Sequence, residues 1–247
     1  MVDHADTSYL FLGSGNFSSP FGFAWEHSQY SAQKAHDNGI DVDPENNPAA
    51  RELVGIVLTA TEYRTAADAI ETYQALIRKN KTQNNPDNAY YRYFDNKYGI
   101  QNMGGTVVEG FDATNYPPGT GSFDHIIFEN AHTDAYGAIG DDLKNLEALQ
   151  SNRALVTNAM LQARGHLNTN GTFELIICGW PFQSRRPKGQ GMEWEQGMEL
   201  DRDGGARQLA GNGGMRFVRR EPAGRRWIER NNGEGFGAEA TRLVFTL

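Results

Sequence analysis

A single cysteine, Cys178, excludes an internal disulfide and a cysteine metal cluster, and its place in an apolar run fits a reducing, cytoplasmic setting. No metal site is expected. No apolar stretch approaches the roughly 20 residues that cross a bilayer. The start, Met1-Val2-Asp3-His4-Ala5-Asp6, is polar and acidic where a secretory leader is basic and then apolar. A soluble protein without a membrane partner follows. A cationic surplus is also missing: 31 acidic residues stand against 23 basic ones, for a net charge of -8. Proteins that grip a phosphate backbone draw much of their affinity from counterion release at a cationic surface. The balance therefore argues against nucleic acid and for a small-molecule substrate. The local exceptions, Arg185, Arg186 and Lys188, then Arg216, Arg219, Arg220, Arg225, Arg226 and Arg230, suit a patch for a phosphate or carboxylate but read first as solvated strand edges and loops. Repeats and low-complexity tails are absent, and no signal sets an oligomeric state.

What the chain does have is 247 residues, 38% of them hydrophobic, and 28 glycines, which is enough for one domain over 1–247 with a single core and insertions. Five short apolar segments read as buried parallel strands: Tyr9 to Leu12, Gly55 to Thr61, Thr106 to Phe111, His125 to Phe128 and Phe173 to Cys178. Helical spacing lies between them, with Ala66, Ile70, Tyr73 and Ile77 on one face and Leu149, Val156, Met160 and Ala163 on another. Such alternation predicts an α/β domain with a mostly parallel sheet. Met215 to Arg220 and Arg242 to Leu247 read as a terminal hairpin on the sheet edge. The segments 39–48 and 80–88, rich in Asn, Asp and Pro, read as loops. The glycine-rich stretch 179–214 reads as irregular, with a short helix near Glu193 to Leu200.

The most informative run is Ser8-Tyr9-Leu10-Phe11-Leu12-Gly13-Ser14-Gly15-Asn16-Phe17-Ser18-Ser19-Pro20, an apolar strand, a glycine turn and a helix start. Glycine lets a backbone turn sharply and leave room for a nucleotide cofactor against it. Ser19 is placed to cap the helix, with Pro20 as its first residue. In a doubly wound sheet the ligand lies beyond the carboxyl ends of the strands. Those ends carry Gly13 and Gly15 on the first strand, Glu62 on the second, Asp112 on the third, and Asn130 with His132 on the fourth. An ionised carboxylate offers two acceptor oxygens, so Glu62 suits both hydroxyls of a ribose and Asp112 suits an adenine amino group. An acid at a strand end also serves simply to cap the helix that follows. Glycine turn, first acid and second acid in chain order form the arrangement of S-adenosylmethionine-binding enzymes.

Several segments resemble a known family. These are Leu12-Gly13-Ser14-Gly15-Asn16-Phe17-Ser18, Leu58-Thr59-Ala60-Thr61, Glu109-Gly110-Phe111-Asp112-Ala113-Thr114 and Phe123-Asp124-His125-Ile126-Ile127-Phe128-Glu129-Asn130-Ala131-His132. They look like the Rossmann-like domain of the ribosomal RNA uridine-N3 methyltransferases and their bacterial relatives. Leu167 to Leu175 resembles the turn into the fifth strand of class I methyltransferases generally. The resemblance spans roughly Tyr9 to Phe182. It implies a class I methyltransferase (Rossmann-like) fold, with a seven-stranded mostly parallel sheet, a C-terminal antiparallel hairpin and helices on both faces. It also implies S-adenosylmethionine as cofactor. Gly13, Ser14, Gly15 and Asn16 would pass under its methionine part, Glu62 would hold the ribose, and Asp112 with Ala113 the adenine, with Phe17 and Asn130 as further cofactor-binding residues. Two departures matter. About 49 residues separate Gly13 from Glu62, where about 20 is usual, so an insertion at about 22–50 intervenes and is expected to act as a lid. The fourth-strand segment reads Glu129-Asn130-Ala131-His132, without the aromatic and proline of the family or the proline pair of enzymes that methylate exocyclic base amines. The relatives' substrate therefore does not carry over.

Asn130, His132, Asp134 and Tyr136 follow the fourth strand, where class I enzymes place reacting groups. Methyl transfer from a sulfonium needs alignment and, for a protonated nucleophile, a base. His132 suits the base and Asn130 an orienting amide, with Tyr136 beside them; His132 equally suits packing under the loop. Phe17, Phe21, Phe23, Trp25, Trp180 and Phe182 offer faces that attract a sulfonium, although core packing is the commoner role. Two enzymatic readings remain open: methyl transfer to a small molecule, and a cyclase of the azetidine-2-carboxylic acid synthase type that consumes S-adenosylmethionine and releases methylthioadenosine. An RNA methyltransferase and a non-catalytic binding module rank below both.

Overall fold

The computed structural model describes residues 6–14, 17–68, 70–71, 86–129, 131, 133, 142–177, 182, 198–223 and 240–247. Seven strands form one sheet: β1 (Thr7–Leu12), β4 (Ile56–Glu62), β5 (Thr106–Glu109), β6 (Phe123–Phe128), β7 (Leu167–Ile177), β8 (Arg216–Pro222) and β9 (Thr241–Thr246). Their order is β5-β4-β1-β6-β7-β9-β8. The pairs β1/β4, β4/β5 and β6/β7 are parallel, and β9 runs antiparallel to both β7 and β8. This is a mostly parallel seven-stranded sheet with a C-terminal antiparallel hairpin, as the sequence predicts. A separate ribbon pairs β2 (Ser28–Tyr30) with β3 (Arg51–Leu53). The described helices are α1 (Ser18–Glu26), α2 (Ala32–Asp37), α3 (Pro86–Asn102), α4 (Asp142–Arg164) and α5 (Asp203–Asn212). The chain divides into two compact units, one running to Phe111 and the other from Asp112 onward.

In the first unit, β1 ends in Leu10, Phe11 and Leu12, all fully buried. Consecutive burial without alternation marks a parallel strand covered on both faces. The 22–50 insertion contains α2, the first ribbon strand and two single turns of 3-10 helix, Pro44–Asn46 and Pro48–Ala50. Arg51 ties it together through Ser28 and the Glu45 carbonyl, with its guanidinium 4.3 Å from the Trp25 ring centre. The Trp25 face expected to suit a sulfonium is thus taken by an arginine.

In the second unit, α4 buries Leu149, Val156, Met160 and Ala163, the predicted stripe. The strand predicted from Phe173 begins earlier, at Leu167, and the intervening turn is absorbed as an irregularity. Phe123 pairs with Leu167 but His125 with Thr172, and Asn170 adopts a left-handed φ of 66°. Asn tolerates that conformation better than most residues. A Cβ on Gly171 would sit 3.0 Å from the carbonyl oxygens of Asn168 and Asp124. Gly171→Ala is therefore expected to cost about 1–3 kcal/mol of stability through overpacking, read as a lower urea midpoint at unchanged slope; an unchanged midpoint would remove the close approach.

Three local expectations are corrected. The first described helix starts at Ser18 rather than Pro20, and its cap position is Phe17, in a left-handed conformation (φ 60°) without a side-chain cap bond. Burial of the Phe17 ring outweighs the capping that Ser19 offers, and Pro20 is tolerated in the first turn. Residues 86–88 open α3 instead of closing a loop, with Pro86 at the first helical position, where its missing N–H is harmless. The stretch read as irregular contains α5, held by buried Ala206, Leu209 and Ala210. Residues 72–85, which carry Tyr73 and Ile77, and residues 193–197 lie outside the described set.

Candidate functional site

The carboxyl ends of β1, β4 and β5 meet along one edge of the first unit. Register pairs Phe11 with Ala60 and Glu62 with Glu109. Beyond the ladder, Ser14 N–H donates to the Thr61 carbonyl and Phe111 N–H to the Glu62 carbonyl, both at 3.1 Å. Thr61 Oγ1 donates to the Phe11 carbonyl at 2.8 Å. These bonds fix Glu62 between the glycine turn on one side and the chain leading to Asp112 on the other.

Gly13 takes a φ of 63°, a left-handed conformation that favours glycine. The turn closes where Phe17 N–H donates to the Ser14 carbonyl at 2.9 Å. Phe17 is fully buried and left-handed, which costs a bulky residue about 1–2 kcal/mol. Ser14 is 3% exposed, and its hydroxyl finds no hydrogen-bond partner among the described residues. A buried hydroxyl left unmatched costs about 1–3 kcal/mol.

Glu62 is 5% exposed and its Oε1 accepts from Arg64 Nε at 3.2 Å and from the Arg64 N–H at 3.4 Å. Just beyond, Thr65 and Asp68 form a reciprocal cap: Thr65 N–H and Oγ1 donate to Asp68 Oδ2, and Asp68 N–H donates to Thr65 Oγ1. Those donors, the Thr65 hydroxyl first, hold the Asp68 carboxyl below its ordinary value. Asp112 Oδ1 accepts from Thr114 N–H (2.8 Å) and Thr114 Oγ1 (2.7 Å), the turn-closing role open to an acid at this position. Ala113 is buried.

Sequence reasoning missed the other acid on this edge. Glu109 accepts from the Tyr93 hydroxyl at 2.5 Å on Oε1 and pairs with Lys97 at 2.9 Å on Oε2. Tyr93 and Lys97 sit four apart on α3, one turn of one face, a spacing that a helix assignment for 86–102 would have exposed.

In the second unit, β6 ends at buried Glu129, and the following chain is pinned where Asn152 Oδ1 accepts from Thr133 N–H at 2.9 Å. Phe182 is buried, the core role rather than an exposed face. The expected reacting groups Asn130, His132, Asp134 and Tyr136, together with Gly15, Asn16 and Trp180, lie outside the described residues. Among the described residues no helix is long and apolar enough to cross a membrane.

No protein-family model matches the chain, and no curated protein matches it. Solved structures similar to it include three methyltransferases. A TehB-like S-adenosylmethionine-dependent enzyme from Corynebacterium glutamicum is 13% identical, with 97% of this chain and 79% of that one covered and a TM-score of 0.40. The glycopeptide N-methyltransferase MtfA, complexed with sinefungin, is 12% identical over 98% and 81%, with a TM-score of 0.45. The CcbJ methyltransferase from Streptomyces caelestis is 12% identical over 98% and 89%, also at 0.45.

Proposed function

We propose that this chain is an S-adenosylmethionine-dependent enzyme that transfers a methyl group to a small molecule. The observation that carries the reading is the shared strand-end edge: a left-handed Gly13, the buried Ser14 hydroxyl and the buried Glu62 carboxylate, held in register by the Ser14–Thr61 and Phe111–Glu62 bonds. An adenosyl group fits this donor set. Its ribose hydroxyls would donate to Glu62, and a polar atom of the cofactor would satisfy Ser14 Oγ, which the described residues leave unmatched. Glu109 is engaged by Tyr93 and Lys97 through both oxygens, whereas the bonds from Thr114 fall on Asp112 Oδ1 alone, and Asp112 is the acid proposed to receive the adenine amine. Gly15 and Asn16 are further residues proposed for the methionine part, and Asn130, His132 and Tyr136 are the residues proposed to orient and deprotonate an acceptor. Bound S-adenosylmethionine would supply an electrophilic carbon on its sulfonium. The net charge of -8 supports a small acceptor over RNA.

Chromatography of the nucleoside products tests the reaction type. With a pool of small amines, acids and phenols, S-adenosylhomocysteine is expected to accumulate in proportion to acceptor. Methylthioadenosine formed from S-adenosylmethionine alone would replace methyl transfer by the cyclase reading.

A further inference from the structure

Helix α3 holds two consecutive residues at the end of the glycine turn, the first of them strained. The Tyr93 ring lies 5.2 Å from that of Phe17, centre to centre, and Tyr93 is 1% exposed. One turn along, Asn96 Nδ2 donates to Ser18 Oγ at 3.1 Å, holding the next residue of the chain. The same helix is anchored to the end of β5 by the Tyr93 hydroxyl and Lys97, which engage both oxygens of Glu109. Phe17 stands in a left-handed conformation that its side chain disfavours. Such a conformation persists only where the surroundings over-determine it.

We infer that α3 is a brace for the glycine turn, and that Tyr93 is a positioning residue that acts on the cofactor through Phe17 without touching it. The inference rests on the S-adenosylmethionine reading given above. Glu109 orients the phenol, the phenol fixes the ring, and the ring fixes Phe17; Asn96 holds the following residue. Phe17 and Ser18 are then set before the ligand arrives, so that binding does not have to order them.

A double-mutant cycle with two readouts tests this. The first is the calorimetric affinity for S-adenosylmethionine. Tyr93→Phe, which keeps the ring and removes the hydroxyl, is expected to weaken it about three- to tenfold. In a Phe17→Gly background the turn adopts its left-handed conformation unaided, and the same change is expected to cost less than about twofold. The second readout is amide hydrogen exchange without cofactor. Tyr93→Phe should speed exchange at Phe17 and Phe21, whose N–H groups donate to Ser14 and Phe17, about tenfold while leaving β7 unchanged. Equal losses of affinity in both backgrounds would show a general packing role and overturn the inference. So would unchanged exchange at Phe17 and Phe21 in a protein that binds the cofactor. A folded wild type that binds no S-adenosylmethionine defeats the cofactor reading instead, and the exchange arm still decides whether α3 braces the turn.

Discussion

Replacing Glu62 with Ala is expected to weaken S-adenosylmethionine binding about 10- to 150-fold, the equivalent of about 1.5–3 kcal/mol for hydrogen bonds to a charged acceptor. Glu62 is 5% exposed, so its bonds form away from competing water, and the backbone bonds that Ser14 and Phe111 make around it leave its position little freedom. Glu62→Gln keeps the volume and one acceptor oxygen, and a smaller loss is expected. Arg64→Ala is the informative control. Its side chain is 36% exposed and meets Glu62 at 3.2 Å, and a partly solvated pair of this kind contributes about 1 kcal/mol or less. Arg64→Ala should therefore change affinity far less than Glu62→Ala. If the two variants lose affinity equally, the carboxylate serves the loop and not a ribose.

Phe245→Ala is expected to cost the second unit about 3–5 kcal/mol, the usual range for deleting a fully buried aromatic ring. Phe245 has no exposed surface. It stands in β9 between Phe173 of β7 and Phe217 of β8, with ring centres 6.2 Å and 5.8 Å away. Its strand runs antiparallel to both neighbours, with Phe245 paired to Phe173 on one side and Phe217 on the other. Phe245→Leu keeps most of the apolar volume and should lose much less. Urea unfolding followed by near-ultraviolet circular dichroism measures both. A loss below about 1 kcal/mol for Phe245→Ala would mean that the terminal hairpin does not share this core.

Most strands of the large sheet were legible because they are short apolar runs bounded by turn residues, as in β1 with its three successive buried positions; β2 and β3, three residues each, carry no such run and were missed. β7 was the partial exception. Its first residues, Asn168 to Gly171, read as a turn because they are one locally, yet pairing resumes on either side and the strand continues. Helix α3 was hidden for a different reason. Its Asn- and Asp-rich start resembles a loop, and its helical spacing is carried by aromatics, Tyr90, Phe94 and Tyr98, that strands favour equally. Helix α5 was masked by its glycines, although Ala206, Leu209 and Ala210 keep helical spacing. At the site, Gly13 and Glu62 could be placed from sequence because a strand end is a local feature. The Tyr93–Glu109 bond could not, since it joins a helix to a strand across 16 residues of sequence. Nor could the conformation of Phe17, where burial of a ring overrides the cap that neighbouring serines advertise.

Titration of the folded wild-type protein with S-adenosylmethionine in a calorimeter tests the central claim most directly. Saturable binding at one site per chain, displaced by S-adenosylhomocysteine, is the predicted result. A protein that melts cooperatively and gives no saturable heat with either compound would contradict the assignment of this strand-end edge to an adenosyl group.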